Sequence, residues 1–396
     1  LLIRYESPGV SLWKGEPTMR HWFAVSCLLV LIWAMTFSSN SVVVALAQTT
    51  CGGWHVVSSP NPSSGVNTLY GISATSSTDA WTVGDYAPPG GGADTLIEHW
   101  NGVQWSVVPS PNSSPNVNYL YGVAEVSSRD VWAAGIHDAY TLIEHWDGSQ
   151  WNVVPSPNPD QTDDYLYSVS AISSRDVWAV GVRGAYSLIE HWDGSQWNVV
   201  PSPNPDQTDD YLYGISAISS NDVWAVGDGI PSGGGVYTLI EHWDGSQWSI
   251  ISSPNPSPDE NYLYGVAAIS SKEVWAVGKY ASPNVGAPTL IEKWNGKKWR
   301  QVLGPSPGAF ANVLYGVAAV SNSDAWAVGE YLPTPSTAYT LTEHWNGRVW
   351  KVIPSPNPGP AHLLRAVAGV PGTSQAWAAG FYTNNNGEQT LVEAYC

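Results

Sequence analysis

Positive charge is scarce in this chain. Fifteen Lys and Arg stand against 33 Asp and Glu, a formal net charge of −18 over 396 residues. Phosphate recognition needs clustered Lys and Arg, so nucleic acid is excluded as a partner. Phe is nearly missing, at 4 residues. No apolar run beyond the N-terminal region approaches the ~20 residues of a membrane-spanning helix. The chain has no G-x-S-x-G, no P-loop and no H-E-x-x-H, which removes the commonest hydrolase, nucleotide and zinc-protease signatures.

The N-terminal region reads as an export signal. Residues 1–18 precede the first Met and look like translated upstream sequence. Residues 19–47 hold a short basic start at Met19-Arg20-His21, a mostly apolar stretch and a small-x-small cleavage site at Ala45-Leu46-Ala47. Cleavage predicts a secreted or cell-surface protein with no remaining membrane span. It removes Cys27 and leaves Cys51 and Cys396.

What is abundant is Trp, at 23 residues, and it recurs in columns. One column is Trp54, Trp105, Trp151, Trp197, Trp248, Trp299 and Trp350. A second, in Val-Trp-Ala-Val-Gly or near variants, is Trp81, Trp132, Trp178, Trp224, Trp275, Trp326 and Trp377. A third, in Thr-Leu-Ile-Glu-His-Trp, runs from Trp100 to Trp345 with Tyr395 as its seventh member. The period is 46 or 51 residues, and the columns define seven units. Each unit holds four strand-like runs separated by Ser-Ser-x-Asp, variable loops and Asp-Gly or Asn-Gly turns. Pro-rich connectors join the units, as proline suits a crossover and not a central strand. The spacing predicts an all-β seven-bladed propeller over residues 51–396, with four antiparallel strands per blade.

The seventh unit stops before its fourth strand, and the chain supplies that strand at its start, Trp54-His55-Val56-Val57. The same alignment brings Cys51 to Cys396, so a disulfide between them is expected to lock the ring in an exported protein.

Val-Trp-Ala-Val-Gly, Thr-Leu-Ile-Glu-His-Trp-Asp-Gly and Trp-x-Val-Val-Pro-Ser-Pro-Asn-Pro resemble the repeats of bacterial secreted propeller proteins. More broadly they are similar to kelch and galactose-oxidase-like propellers, and their order resembles tectonin-type lectin repeats. The resemblance implies the fold and leaves the function open.

Residues repeated in every unit are read as structural. Five histidines, His99, His145, His191, His242 and His344, share one column, and blades hold such positions far apart around a ring. They track a turn column, Asp79, Asp130, Asp176, Asp222 and Asp324. Where the turn has Glu273 the strand has Lys293, and where it has Gln375 the strand has Ala394. This covariation predicts an Asp–His pair inside each blade. The buried-looking Glu98 column is structural for the same reason. The sialidase Asp-box fails because Trp132 stands where glycine is needed. A galactose-oxidase copper site fails because both mature cysteines are engaged in closure.

Ligand chemistry is expected where the units differ, on the face of the second-to-third-strand loops and the connectors. Tyr86, Tyr280, Tyr331 and Tyr382 recur just past the second strand. Asp163, Asp164, Asp209 and Asp210 lie in connectors, where calcium or a cationic ligand is the expected occupant because hard cations take carboxylate oxygens, and no other cofactor is called for. In the inner strand, Tyr70, Tyr121, Tyr167, Tyr213, Tyr264 and Tyr315 form a column whose seventh member is Arg365, an anion-binding candidate. The expected function is a monomeric, non-catalytic, secreted binding or scaffolding propeller that recognises glycan or extracellular protein. The alternatives are a polysaccharide hydrolase or lyase at the same face, or a structural surface protein.

Overall fold

A computed structural model describes residues 52–159, 163–205, 209–282 and 286–396. The expected leader and Cys51 lie outside the described residues. Among the described residues there are 28 strands and no helix. They form seven four-stranded antiparallel sheets, the seven-bladed propeller that the repeat predicts. The first blade comprises Asn67–Ser76, Asp79–Tyr86, Asp94–Trp100 and Trp105–Val107, from the central channel outward. The last is built from His362–Gly369, Ala376–Asn384 and Gly387–Tyr395, completed on its outer edge by Trp54–Val57. Trp54 pairs with Tyr395 and Val57 with Val392. A backbone hydrogen bond of 2.7 Å from the Gly52 amide to the Cys396 carbonyl extends this closure.

The patterning explains each strand's place. The second strand, such as Asp176–Arg183, is buried along nearly its whole length. Its run of Val, Trp and Ala is apolar on both faces, as a strand sandwiched between neighbouring blades requires. The outer strand is three residues in six of the blades, buried at its Trp and exposed at its end. Short outer strands limit edge-to-edge association.

The cores lie between blades. Trp81 of the first blade, 1% exposed, packs with Leu120, Val131, Leu142 and Trp151 of the second. Its ring meets Trp146 at 5.2 Å and Trp151 at 5.5 Å. Trp377 makes the matching contacts with Trp100 and Trp105 across the last interface. The Trp columns are therefore interface packing, each ring bridging two sheets.

Polar repeats hold the blades too. His99, His145, His191 and His242 each donate from Nε2 to the turn Asp at 2.8 Å, and His344 does so at 2.9 Å. Where the column changes, Lys293 pairs with Glu273 at 2.6 Å and lies over the Trp275 ring. The pairs are a quarter or more exposed on the His side, so they are clamps at the surface end of the core and not fully buried bonds. The Glu98 column is fully buried in all seven blades. The connector Ser donates to it from the preceding blade, as with Ser59 to Glu98 and Ser202 to Glu241. Burial pushes Glu98, Glu144, Glu241 and Glu393 up to about 8, and Glu190, Glu292 and Glu343 well above the usual range. Burial thus favours the neutral acid form of these carboxyls.

Candidate functional site

Every inner strand carries a β-bulge at the same position. Pairing skips from Leu69 to Gly71, leaving Tyr70 as the extra residue. The skip recurs at Tyr121, Tyr167, Tyr213, Tyr264, Tyr315 and Arg365. A bulge re-aims its extra side chain, and these seven line one central cavity of about 170 Å³. The glycine of the second strand permits the bulge. A Cβ on Gly84 would fall 1.8 Å from the Thr68 carbonyl oxygen.

The tyrosines form a continuous ring. Centroids of successive rings from Tyr70 to Tyr315 lie 5.2–5.7 Å apart. Arg365 closes it, its guanidinium 4.7 Å from the Tyr315 ring centre. A partial second tier flanks the ring, with Tyr119 against Tyr121, Tyr211 against Tyr213 and Tyr262 against Tyr264. Lys279 lies over Tyr262 at 5.0 Å.

Three ring hydroxyls meet carboxyls from the position after the second-strand glycine. Tyr70 donates to Asp85, Tyr213 to Asp228, and Tyr315 to Glu330 at 3.0 Å. Burial pushes Asp85 and Asp228 up to about 7, against the hydroxyls that stabilise their ionised forms. Burial raises Glu330 as well, opposed by the Tyr315 hydroxyl and then by Arg365. The corresponding positions elsewhere are Ile136, Val182, Lys279 and Phe381. This column of mixed chemistry was not singled out by sequence reasoning. Its signal was present as the residue following each Val-Gly or Ala-Gly.

The residues expected from sequence divide. Arg365 and the six tyrosines are brought together. Tyr86, Tyr280, Tyr331 and Tyr382 are half-buried and pack against four separate interblade cores. Asp164 and Asp210 are fully buried. They occupy the column of Asn67, Asn118, Asn261 and Asn312, whose amides bond to connector backbone. Asp163 stays exposed and Asp209 half-buried, accepting from Tyr165 at 2.8 Å and Tyr211 at 3.3 Å. As displayed acids, Asp164 and Asp210 are thus corrected: their side chains point into the fold. Among the described residues no three His, Cys, Asp or Glu side chains converge as a metal site.

The loop rim around the mouth is uneven. Residues 136–139 and 182–185 are tight hairpin turns, with Asp138 and Gly184 at positive φ. The loops at residues 85–94, 228–236 and 279–288 are longer. Blades two and three therefore leave a notch in the rim, bordered by the exposed Tyr140 and Tyr186.

No family model matches this chain, and no curated protein does. Solved structures match over most of its length. YCF48 bound to D1 peptide is similar at 12% identity and TM-score 0.56, covering 87% of this chain and 97% of that one. The RRP9 WD40 repeats are similar at 10% identity and TM-score 0.58, with 87% and 97% covered. An ancestral GH74 enzyme is similar at 15% identity and TM-score 0.53, covering 86% of this chain and 47% of the enzyme. At such identities the likeness shows the propeller fold alone.

Proposed function

We propose that this chain is a non-catalytic binding propeller that takes a protein segment at its central mouth, outside the cell. The ring of six tyrosines and Arg365 on seven bulges carries this reading. It is where the repeat presents unlike side chains to solvent around one cavity. A volume of about 170 Å³ is small beside the ~300–1,000 Å³ of drug-sized pockets. It suits one inserted side chain with flanking backbone on the loop rim. That a similar fold has been solved with a peptide supports testing peptides first. The test is a random-peptide display against the full chain, beside a glycan array. Enriched peptides that lose binding in Tyr167→Leu support the reading; binding confined to glycans overturns it.

Export is part of the proposal and rests on residues 19–47. The Cys51–Cys396 disulfide belongs with it, supported by the Gly52–Cys396 backbone bond. Mass spectrometry of the non-reduced, secreted chain is expected to find no alkylatable thiol at either cysteine.

One observation favours a second reading, cleavage of polysaccharide. Burial pushes both Asp85 and Asp228 up to about 7, the range that suits a general acid, and both carboxyls stand beside the central cavity on ring hydroxyls. Release of reducing sugar from a polysaccharide panel, abolished in Asp85→Asn, would select it.

A further inference from the structure

The mouth already shows how it treats cations. Its guanidinium, Arg365, and its ammonium, Lys279, both lie over tyrosine rings. Ring faces are electron-rich and attract such groups. The three carboxyls of the mouth are not equally compensated. Glu330 feels Arg365 and Lys279, and Asp228 feels Lys279. Among the described residues no cation acts on Asp85 itself, while the Arg365 guanidinium acts on its hydrogen-bond partner, Tyr70. The charged neighbour of Asp85 is another acid, Glu388, whose carboxylate accepts from Thr68 at 2.9 Å.

Asp85 is 4% exposed, and its Oδ1 has no hydrogen-bond partner. A buried carboxyl oxygen left unpaired costs free energy unless something else serves it. Around it stand Tyr70, Tyr119 and Tyr121, whose ring centres lie 5.2 Å (Tyr70–Tyr121) and 6.0 Å (Tyr119–Tyr121) apart. The second-strand position of the next blade is Ile136, so the Tyr121 hydroxyl has no carboxyl there. This corner adjoins the rim notch at blades two and three. The net charge of −18 draws cations toward the whole molecule.

We infer that the corner formed by Tyr70, Tyr119, Tyr121 and Asp85 binds the charged end of a lysine or arginine side chain from the partner. The inference rests on the protein-segment reading for its partner, but not for its site. The cation lies on the phenol faces, and the Asp85 carboxylate is its counter-charge behind the Tyr70 hydroxyl.

The experiment titrates the full chain with two probes. One is n-butylammonium chloride, followed by NMR of the tyrosine rings. The other is a set of labelled peptides differing only in a central Lys, Arg, Gln or Glu, followed by anisotropy. Butylammonium is expected to shift the rings of Tyr70, Tyr119 and Tyr121. Lys and Arg peptides are expected to bind about tenfold tighter than Gln. Asp85→Asn should erase that preference, whereas Asp147→Asn, in an exposed turn between third and fourth strands, should change it by less than about twofold. Butylammonium affinity should climb as pH rises through about 7, and lose that dependence in Asp85→Asn. Tyr121→Leu, which leaves the Tyr70–Asp85 bond in place, checks the ring face independently. A preference for Glu, or a Lys preference that survives Asp85→Asn, overturns the inference and leaves the protein-segment reading standing. Butylammonium binding without peptide binding keeps the site and removes that reading. No response to either probe overturns both.

Discussion

The outer blade surfaces and the channel mouth depart from the repeat in different ways. At the periphery a departure brings its own compensation. Lys293 arrives with Glu273, and Ala394 with Gln375. Ser306 bonds the Thr289 amide where other connectors use an Asn, as Asn112 does for Thr95. At the mouth departures are compensated unevenly. Asp85, Ile136, Val182, Asp228, Lys279, Glu330 and Phe381 occupy one position and share no rule. Compensated change preserves packing; unevenly compensated change around one cavity is what a binding site leaves behind.

The comparison breaks most visibly with pH. Four of the seven buried Glu carboxyls have folded pKa values raised to about 8, and burial raises the other three well above the ordinary 4.5. The folded state therefore holds more protons between those values. Its stability is fully present below about 4.5 and is lost as pH rises through about 8. Thermal unfolding scans are expected to give a higher Tm at about pH 5 than at about pH 8.5, with a summed loss of at least several kcal/mol. A Tm that rises over that range would show the Glu column to be ionised.

Next in size is the interface Trp. Trp224→Ala should cost about 3–5 kcal/mol in denaturant unfolding, since a fully buried ring leaves a cavity between two sheets. A clamp is worth less. His145→Ala should cost about 1 kcal/mol, because the His is a quarter exposed and water can serve Asp130. The compensation rule is sharpened by exchanging Glu273 and Lys293 for Asp and His together. The double variant should unfold within about 0.5 kcal/mol of the parent, while Lys293→Ala alone loses about 1 kcal/mol. The smallest effect on stability is expected at the mouth. Tyr167→Leu should shift unfolding by less than about 1 kcal/mol while weakening ligand binding at least tenfold. A stability loss rivaling Trp224→Ala would make the ring a packing element.

The blade count, the shared last blade and the Asp–His clamps were legible because each rests on a residue type recurring at fixed spacing. Covariation at Glu273 and Lys293 even exposed a contact. The mouth was legible only in part. Tyr70 and its equivalents were visible as a column with one Arg, but their meeting depends on a bulge, which strand composition does not announce. The glycine at Gly84 and its equivalents was the trace of it. Asp164 and Asp210 misled because acidity in a connector reads as exposure. Alignment with Asn67 and Asn118 carries the opposite message: a short side chain turned inward to bind connector backbone. Tyr86 and its equivalents are half-buried against interblade cores, since position beside a variable loop does not fix which way a ring packs.

The strand shared between the chain's two ends sets an order of events during synthesis. Trp54–Val57 emerges first and has no sheet to join until Gly387–Tyr395 has been made. Six blades complete themselves locally from consecutive strands. The seventh must wait, and meanwhile its third strand offers an unpaired edge to any passing chain. A second molecule carries the matching strand, Trp54–Val57, in the same waiting state. Crowded nascent chains are thus expected to exchange this one strand, which would appear as a dimer in size-exclusion chromatography of protein refolded at high concentration.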